Sequence, residues 1–595
     1  MKNTSTTPIA QKRSFLLELL EVQSQRWRAL LILAGLFAVL LFWGMGELPF
    51  YTRGEPREGL VVQAMQSSGN WILPVVNGTY IPFKPPLFHW IALVASFLFG
   101  GIDEFTLRLP SALFAAAGVL TTYRVGARLW GERAGLISGI VLALCAEWWQ
   151  AGTAAQVDMT LAFFMTAACW YFYFLYEQHE FGLLKSLGLP LLLGFATLAK
   201  GPIGFAVPAL IILIFLGLRR DFAFLRKLHP LASTAVLLLV AGSWYGAALW
   251  EGGAAFFFRQ IVDENFRTAA GTYGHFQPVY YYLPIFLQNT LPWSCFFPPL
   301  ALFLYHQREK LAEEHLLFPL TWIGVALAFF SASLGKRGVY ILSLYPAAAS
   351  LFGAWWQRLE ENEENKDMFT RSIGFCIGAI YLGALTAFGV YLAGEYKLIS
   401  WPLLSESEKF KNLTAALHSF TPLPPPLAVG LIAYIGTTIG LFWGLRHRHW
   451  QMVFAALATS ALVFNVVLKT VIFPPVVYER TMKPFISRVK DETDPKLPLF
   501  FYRGFDFGAV FYAGRHVPQF VTGVHDLRSP LYLLIWEEDW QPLRGRKDFK
   551  MLDISEGLGA AGRHRLVLAE YQADTAGASP LPTQARSDSK DYDGE

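Results

Sequence analysis

The chain has 595 residues, 54% of them hydrophobic and only 16% charged, with a net charge of +4 and a mean hydropathy of +0.36. Soluble domains carry about 25% charged residues, so the composition excludes an ordinary soluble protein and reads as a polytopic membrane protein. The small positive balance is unremarkable, and no nucleic-acid partner is expected.

Residues 1–28 hold Lys12, Arg13, Arg26 and Arg28 ahead of an apolar run with no small-residue cleavage site after it, and are expected to form a cytoplasmic segment before an uncleaved signal anchor. A spanning helix needs roughly 20 apolar residues, and about thirteen spans are predicted by that rule. They fall near 29–48, 109–127, 134–151, 158–176, 186–200, 203–218, 230–250, 281–304, 316–332, 338–356, 372–393, 427–445 and 451–472, giving a transmembrane domain over 29–472 with its first outer loop at 49–108.

Orientation turns on the run from Leu87 to Gly100, which is short for a crossing. Read as an interfacial helix entered through Pro85-Pro86, it leaves Arg124, Arg128, Arg133, Arg219, Arg220, Arg226, Lys227, Arg308, Lys310, Arg446 and Arg448 on the cytoplasmic side. That satisfies the positive-inside rule; a full crossing would put these clusters outside. On this threading Glu55, Arg57, Glu58, Lys84, Asp158, Lys200, Arg267 and Lys336 collect at the opposite, periplasmic face.

The cysteines Cys145, Cys169, Cys295 and Cys376 lie unpaired in apolar stretches and read as small buried hydrophobes. No His/Cys cluster has metal-ligand spacing, and there is no G-x-G-x-x-G on a strand–helix unit and no P-loop lysine motif. Residues 473–573 alternate short apolar runs with turn residues and are predicted to form a small periplasmic α/β domain, followed by a disordered tail at 574–595.

Ionisable groups near a membrane are costly and usually have a partner or a job. Glu55, Glu58 and Asp158 can accept protons or orient hydroxyls, whereas Lys84, Lys200, Arg267 and Lys336 can bind phosphate. Each also has a plainer reading: Glu55 as surface, Lys84 as a snorkelling lysine, Asp158 as a charge partner of a helix N-terminus. A phosphate-bearing lipid entering sideways would place its head among the cations and its tail in hydrocarbon.

The stretch "RGEPREGLVVQAMQSSGNWILPVVNGTYIPFKPPLFHW", with "RLPSALFAAAGVLTTYRVGARLWGERAGL", "LAKGPIGF", "FQPVYYYLP…LPWS" and "SLGKRGVYILSLYP" in order, resembles the lipid-A aminoarabinose transferase and protein O-mannosyltransferase superfamily. The resemblance covers roughly residues 30–350 and implies a GT-C glycosyltransferase fold with interfacial helices in the first loop and a polyprenyl-phosphate-linked sugar donor. It implies a catalytic carboxylate at Glu55 or its neighbour, where many members have Asp-Glu and this chain has Gly54-Glu55, and a second acid at Asp158. Arg57, Lys84, Arg267, Lys336 and Tyr340 match further family positions, Lys84 and Arg267 those implied to hold the donor phosphate. Phe83 replaces the acid linked to a metal in the aminoarabinose transferases, so no cofactor is carried over, although a divalent metal is left open.

The expected function is inverting transfer of a sugar to lipid A, lipopolysaccharide or another envelope acceptor, at the periplasmic face of an inner-membrane, multi-pass enzyme. The expected partners are the lipid-linked donor, a lipid or protein acceptor and membrane lipids. Transfer to protein is the alternative acceptor reading. A lipid-linked glycan flippase is the alternative of another class, though it calls for charge at mid-membrane depth rather than at one face.

Overall fold

The computed structural model describes residues 8–572 except 79, 80, 83, 268–275, 314, 362–373, 375–424, 521–529 and 561–563. Ten helices of the N-terminal half frame the candidate site: α1 (Pro8–Phe37), α2 (Gly54–Ser68), α3 (Leu87–Phe99), α4 (Glu104–Trp130), α5 (Glu132–Leu144), α6 (Ala146–Gly152), α7 (Val157–Gln178), α8 (Leu183–Ser186), α9 (Gly188–Lys200) and α10 (Ile203–Arg219). Among the described residues eight helices are long and apolar enough to cross a membrane, or nine if α5 and α6, bent by 68°, make one span. The predicted span at 372–393 and the predicted tail lie outside the described residues.

Two predicted spans are not single helices. The run 134–151 breaks at Cys145, whose extended backbone separates α5 from α6. The run 281–304 divides into Tyr282–Asn289, a 3-10 turn at Trp293–Phe296 and Phe297–His306. Pro284, Pro292, Pro298 and Pro299 remove backbone donors along it, a cost that a count of apolar residues does not register.

The bundle packs through small residues. A Cβ on Gly126 of α4 would lie 2.8 Å from the Gly135 Cα of α5, so the two backbones meet where a side chain would hold them apart. Asp103 starts α4 with a capping box, accepting from the Thr106 amide at 2.8 Å. Helix α3 has 13 residues, about 20 Å of rise against about 30 Å of hydrocarbon, too short to cross upright. Its Val94, Phe97, Leu98 and Phe99 are exposed while Phe88, Ala92 and Leu93 are buried, so one face is left to lipid.

A four-stranded sheet follows the bundle: β1 (Leu499–Tyr502), β2 (Leu531–Trp536), β3 (Phe549–Ile554) and β4 (Leu566–Tyr571), in the order β1-β2-β4-β3. β1 pairs parallel with β2, and β4 runs antiparallel to both β2 and β3. The sheet and the first loop share one core: Phe50, Leu60, Val61 and Met65 pack with Phe485, Ile486, Val510 and Phe511. The approach is close enough that a Cβ on Gly59 would lie 2.8 Å from the Phe511 ring. Polar contacts fasten the seam. The Tyr512 hydroxyl donates to Glu104 at 2.8 Å and accepts from the Phe50 amide at 2.7 Å, and Asn77 bonds both the amide and the carbonyl of Val517.

Candidate active site

The expected site residues fall into three groups joined by short stretches of backbone. The first is centred on Glu55, in the first turn of α2 and 2% exposed. Arg108 of α4 faces it with both fork nitrogens, Nε at 2.8 Å and Nη2 at 3.3 Å, and the Ala155 amide donates to Glu55 Oε1 at 3.1 Å. Arg108 Nη1 in turn holds the carbonyls of Met45 and Leu48 at 2.9 and 2.7 Å. The guanidinium thus makes four contacts at the end of the first span, two of them to Glu55. A cavity of about 100 Å³ opens beside the pair, lined also by Tyr51, Gln156 and Lys469.

One turn along α2, Arg57 and His89 clasp Glu58, Arg57 Nη2 at 3.1 Å and His89 Nε2 at 2.7 Å. His89 lies on α3 and is fully buried, with Nε2–H donating because a carboxylate can only accept. Burial alone would raise the Glu58 carboxyl, but Arg57, His89 and Lys84 outweigh it and hold it down to about 2. Lys84, 7% exposed, lines a small pocket with Pro86, His89, Trp244 and Gln260, and Gln260 donates to the Pro82 carbonyl at 2.9 Å. The first-loop lysine therefore belongs to the Glu58 network.

The third group borders a cavity of about 470 Å³. Asp158, in the first turn of α7, bonds the Lys200 ammonium at the C-terminal end of α9, and the Tyr340 ring lies 4.6 Å below that ammonium. Gly201, with φ at 91°, turns the chain sharply after Lys200 and leaves its side chain at the cavity wall. Leu161, Ala162, Met165, Ile203, Ala206 and Phe329 make the rest of that wall apolar. A slot that is greasy along its length and charged at one end suits an amphiphile. Ala155, which donates to Glu55, stands three residues before Asp158, so the start of α7 connects the two carboxylates.

Lys336 is 2% exposed and donates to the carbonyls of Gln277 and Ser333, which ties the loops at the rim of this cavity together rather than presenting a cation to it. Arg267 ends the segment Phe257–Arg267, and its side chain lies outside the described residues. Sequence reasoning missed Arg108 and His89, although both stand inside stretches that carried the resemblance, "RLPS" and "FKPPLFHW". A buried carboxylate needs a partner, but Arg53 and Arg57 are nearer in sequence, so no linear signal singled these two out. Among the described residues no three His, Cys, Asp or Glu side chains gather as metal ligands.

The bundle of broken spans, the first-loop helices and the C-terminal sheet together make a GT-C membrane glycosyltransferase architecture. ArnT from Cupriavidus metallidurans bound to undecaprenyl phosphate superposes with a TM-score of 0.71 at 20% identity, covering 92% of this chain and 99% of that one. Its apo state gives 0.73, covering 94% and 100%. The chain belongs to the superfamily that contains the aminoarabinose transferases and the protein mannosyltransferases. The dolichyl-phosphate-mannose-protein mannosyltransferase family matches residues 83–245. An uncharacterized protein of Aquifex aeolicus is 30% identical over 316 residues, 53% of this chain and 70% of that one. The undecaprenyl phosphate-alpha-4-amino-4-deoxy-L-arabinose arabinosyl transferase of Aeromonas hydrophila is also 30% identical over 316 residues. That match spans 52% of this chain and only 56% of the Aeromonas enzyme.

Proposed function

We propose that this chain transfers a sugar from a polyprenyl-phosphate carrier to lipid A, lipopolysaccharide or another envelope acceptor at the periplasmic face of the inner membrane. The observation that carries the reading is the large cavity, whose apolar wall suits an isoprenoid chain and whose charged end holds Asp158, Lys200 and Tyr340. Arabinosyl transfer from undecaprenyl phosphate is what the name of the Aeromonas relative describes, and the ArnT structure holds undecaprenyl phosphate.

In the reaction, the bond from the anomeric carbon to the phosphate oxygen breaks as an acceptor oxygen attacks the opposite face of the sugar, inverting that carbon. The electron pair leaves with the phosphate. Lys200 stabilises the growing charge, and the family resemblance adds Lys84 and Arg267 as ligands of the donor phosphate. A hydroxyl acceptor gives its proton to Asp158 or Glu55, a contribution of about 10²–10⁴ in rate. A phosphate acceptor is already anionic and needs only to be placed. Arg57 and Glu58 hold the loop in position, and Lys336 and Tyr340 shape the cavity mouth. Transfer to protein is the second reading, favoured by the family match over 83–245.

The test is transfer from undecaprenyl-phosphate-linked sugars in proteoliposomes, comparing wild type with Lys84→Ala and Glu55→Gln. Each variant is expected to lose about 10²–10³ in rate. Full activity in both would refute the assignment.

A further inference from the structure

One carboxylate near the large cavity has no place in the chemistry above. Glu147 lies in α6, just after the break at Cys145, inside a run predicted to cross the membrane. It is half-buried between the fully packed Trp148 and the bend, and a carboxylate at such depth is expensive unless it is used. Its Oε2 accepts from Asn289 Nδ2 at 2.7 Å. Among the described residues no cation pairs with it and no donor meets Oε1.

Its surroundings adjoin the cavity, one residue behind the lining. Oε1 lies 4.0 Å from where a Cβ on Gly338 would stand, and Gly338 opens the 3-10 segment that carries the cavity-lining Val339, Tyr340, Leu342 and Ser343. Asp158 is within electrostatic reach on the other side. Asp158 already has Lys200; Glu147 has only an amide. Asn289 is available to it because the Pro-broken run 282–306 ends a helix at that residue, so the two interrupted spans present their polar groups to each other.

We propose that Glu147, oriented by Asn289, is a specificity-determining residue that reads the sugar of the lipid-linked donor by accepting a hydrogen bond at Oε1 from a ring hydroxyl or amino group. The inference rests on the transferase reading above. The phosphate end of the donor meets Lys200 and the isoprenoid follows the apolar wall, which leaves the sugar toward the α6 side. A carboxylate with one oxygen fixed and one open discriminates between sugars because a substrate lacking the matching donor leaves it unpaired.

Binding separates the sugar from its carrier. Full-length protein in nanodiscs is titrated with sugar-free undecaprenyl phosphate and with undecaprenyl-phosphate-linked 4-amino-4-deoxyarabinose and mannose. Glu147→Ala is expected to weaken the preferred sugar-linked carrier by about tenfold or more, the scale of one charge-assisted hydrogen bond, and to leave the sugar-free carrier unchanged. Glu147→Gln, which keeps the side-chain volume should the alanine variant fail to fold, and Asn289→Ala are expected to move the same way by several-fold. Equal weakening of both carriers, or no change in either, overturns the proposal. Wild-type protein that binds neither carrier would instead overturn the transferase reading on which it depends.

Discussion

The first-loop helix α2 and the mouth of the large cavity both bury charge, and they settle it differently. Around α2 each carboxylate is held by several donors: Glu55 by the Arg108 fork and a backbone amide, Glu58 by Arg57 and His89. At the cavity mouth Asp158 has one ammonium, and that contact borders open volume. Closed networks fix geometry, because removing one member strands the others in low dielectric. An open pair borders space from which a substrate anion can reach the ammonium. On the transferase reading, the α2 network fixes the geometry around Glu55 while the α7–α9 end offers its ammonium to open volume, and the contrast can be tested from both sides.

The largest effect is expected from Arg108→Met, which leaves Glu55 buried with one backbone donor. Stability should fall by about 3–5 kcal/mol, read as a large drop in melting temperature in detergent, and Glu55→Leu on the same chain should restore part of it. If the single variant melts like wild type, the α2 network is not scaffolding. Lys200→Ala should do the reverse, lowering transfer by about 10²–10³ with the melting temperature nearly unchanged. A large thermal loss there would erase the distinction.

Acid sharpens the comparison next. A carboxyl held down to about 2 against an ordinary 4.5 contributes stability above the ordinary value and loses it as pH falls through the folded one. The contribution is roughly 3 kcal/mol. Melting temperature should therefore fall between pH 4.5 and 2, and Glu58→Gln should flatten that limb. The smallest effect is expected from Tyr340→Leu, which removes the ring under Lys200 and should weaken carrier binding by about two- to fivefold, the range of a partly exposed cation–π contact.

Much of this arrangement can be read from the residues alone. The runs near 158–176 and 186–200 are apolar, and they become α7 and α9 with Asp158 and Lys200 at adjoining helix ends. What escapes a linear reading is what depends on partners. Lys84 looks like a lone cation beside two prolines until Glu58 and His89 are brought against it. Lys336 looks like a phosphate ligand until the carbonyls of Gln277 and Ser333 claim it. The broken spans at 134–151 and 281–304 have the length and apolarity of ordinary ones; four prolines mark the second, and Glu147 and Asn289 show their meaning only once the breaks set them against each other.

The shared core between α2 and the outer sheet also bears on engineering. Gly59 against Phe511, and Tyr512 bridging Phe50 to Glu104, make the module after the last span a foundation for the loop that carries Glu55 rather than a detachable cap. A chimera that borrows this module from a relative should assemble only when it brings its matching first-loop segment with it, so the transplantable unit is discontinuous in sequence.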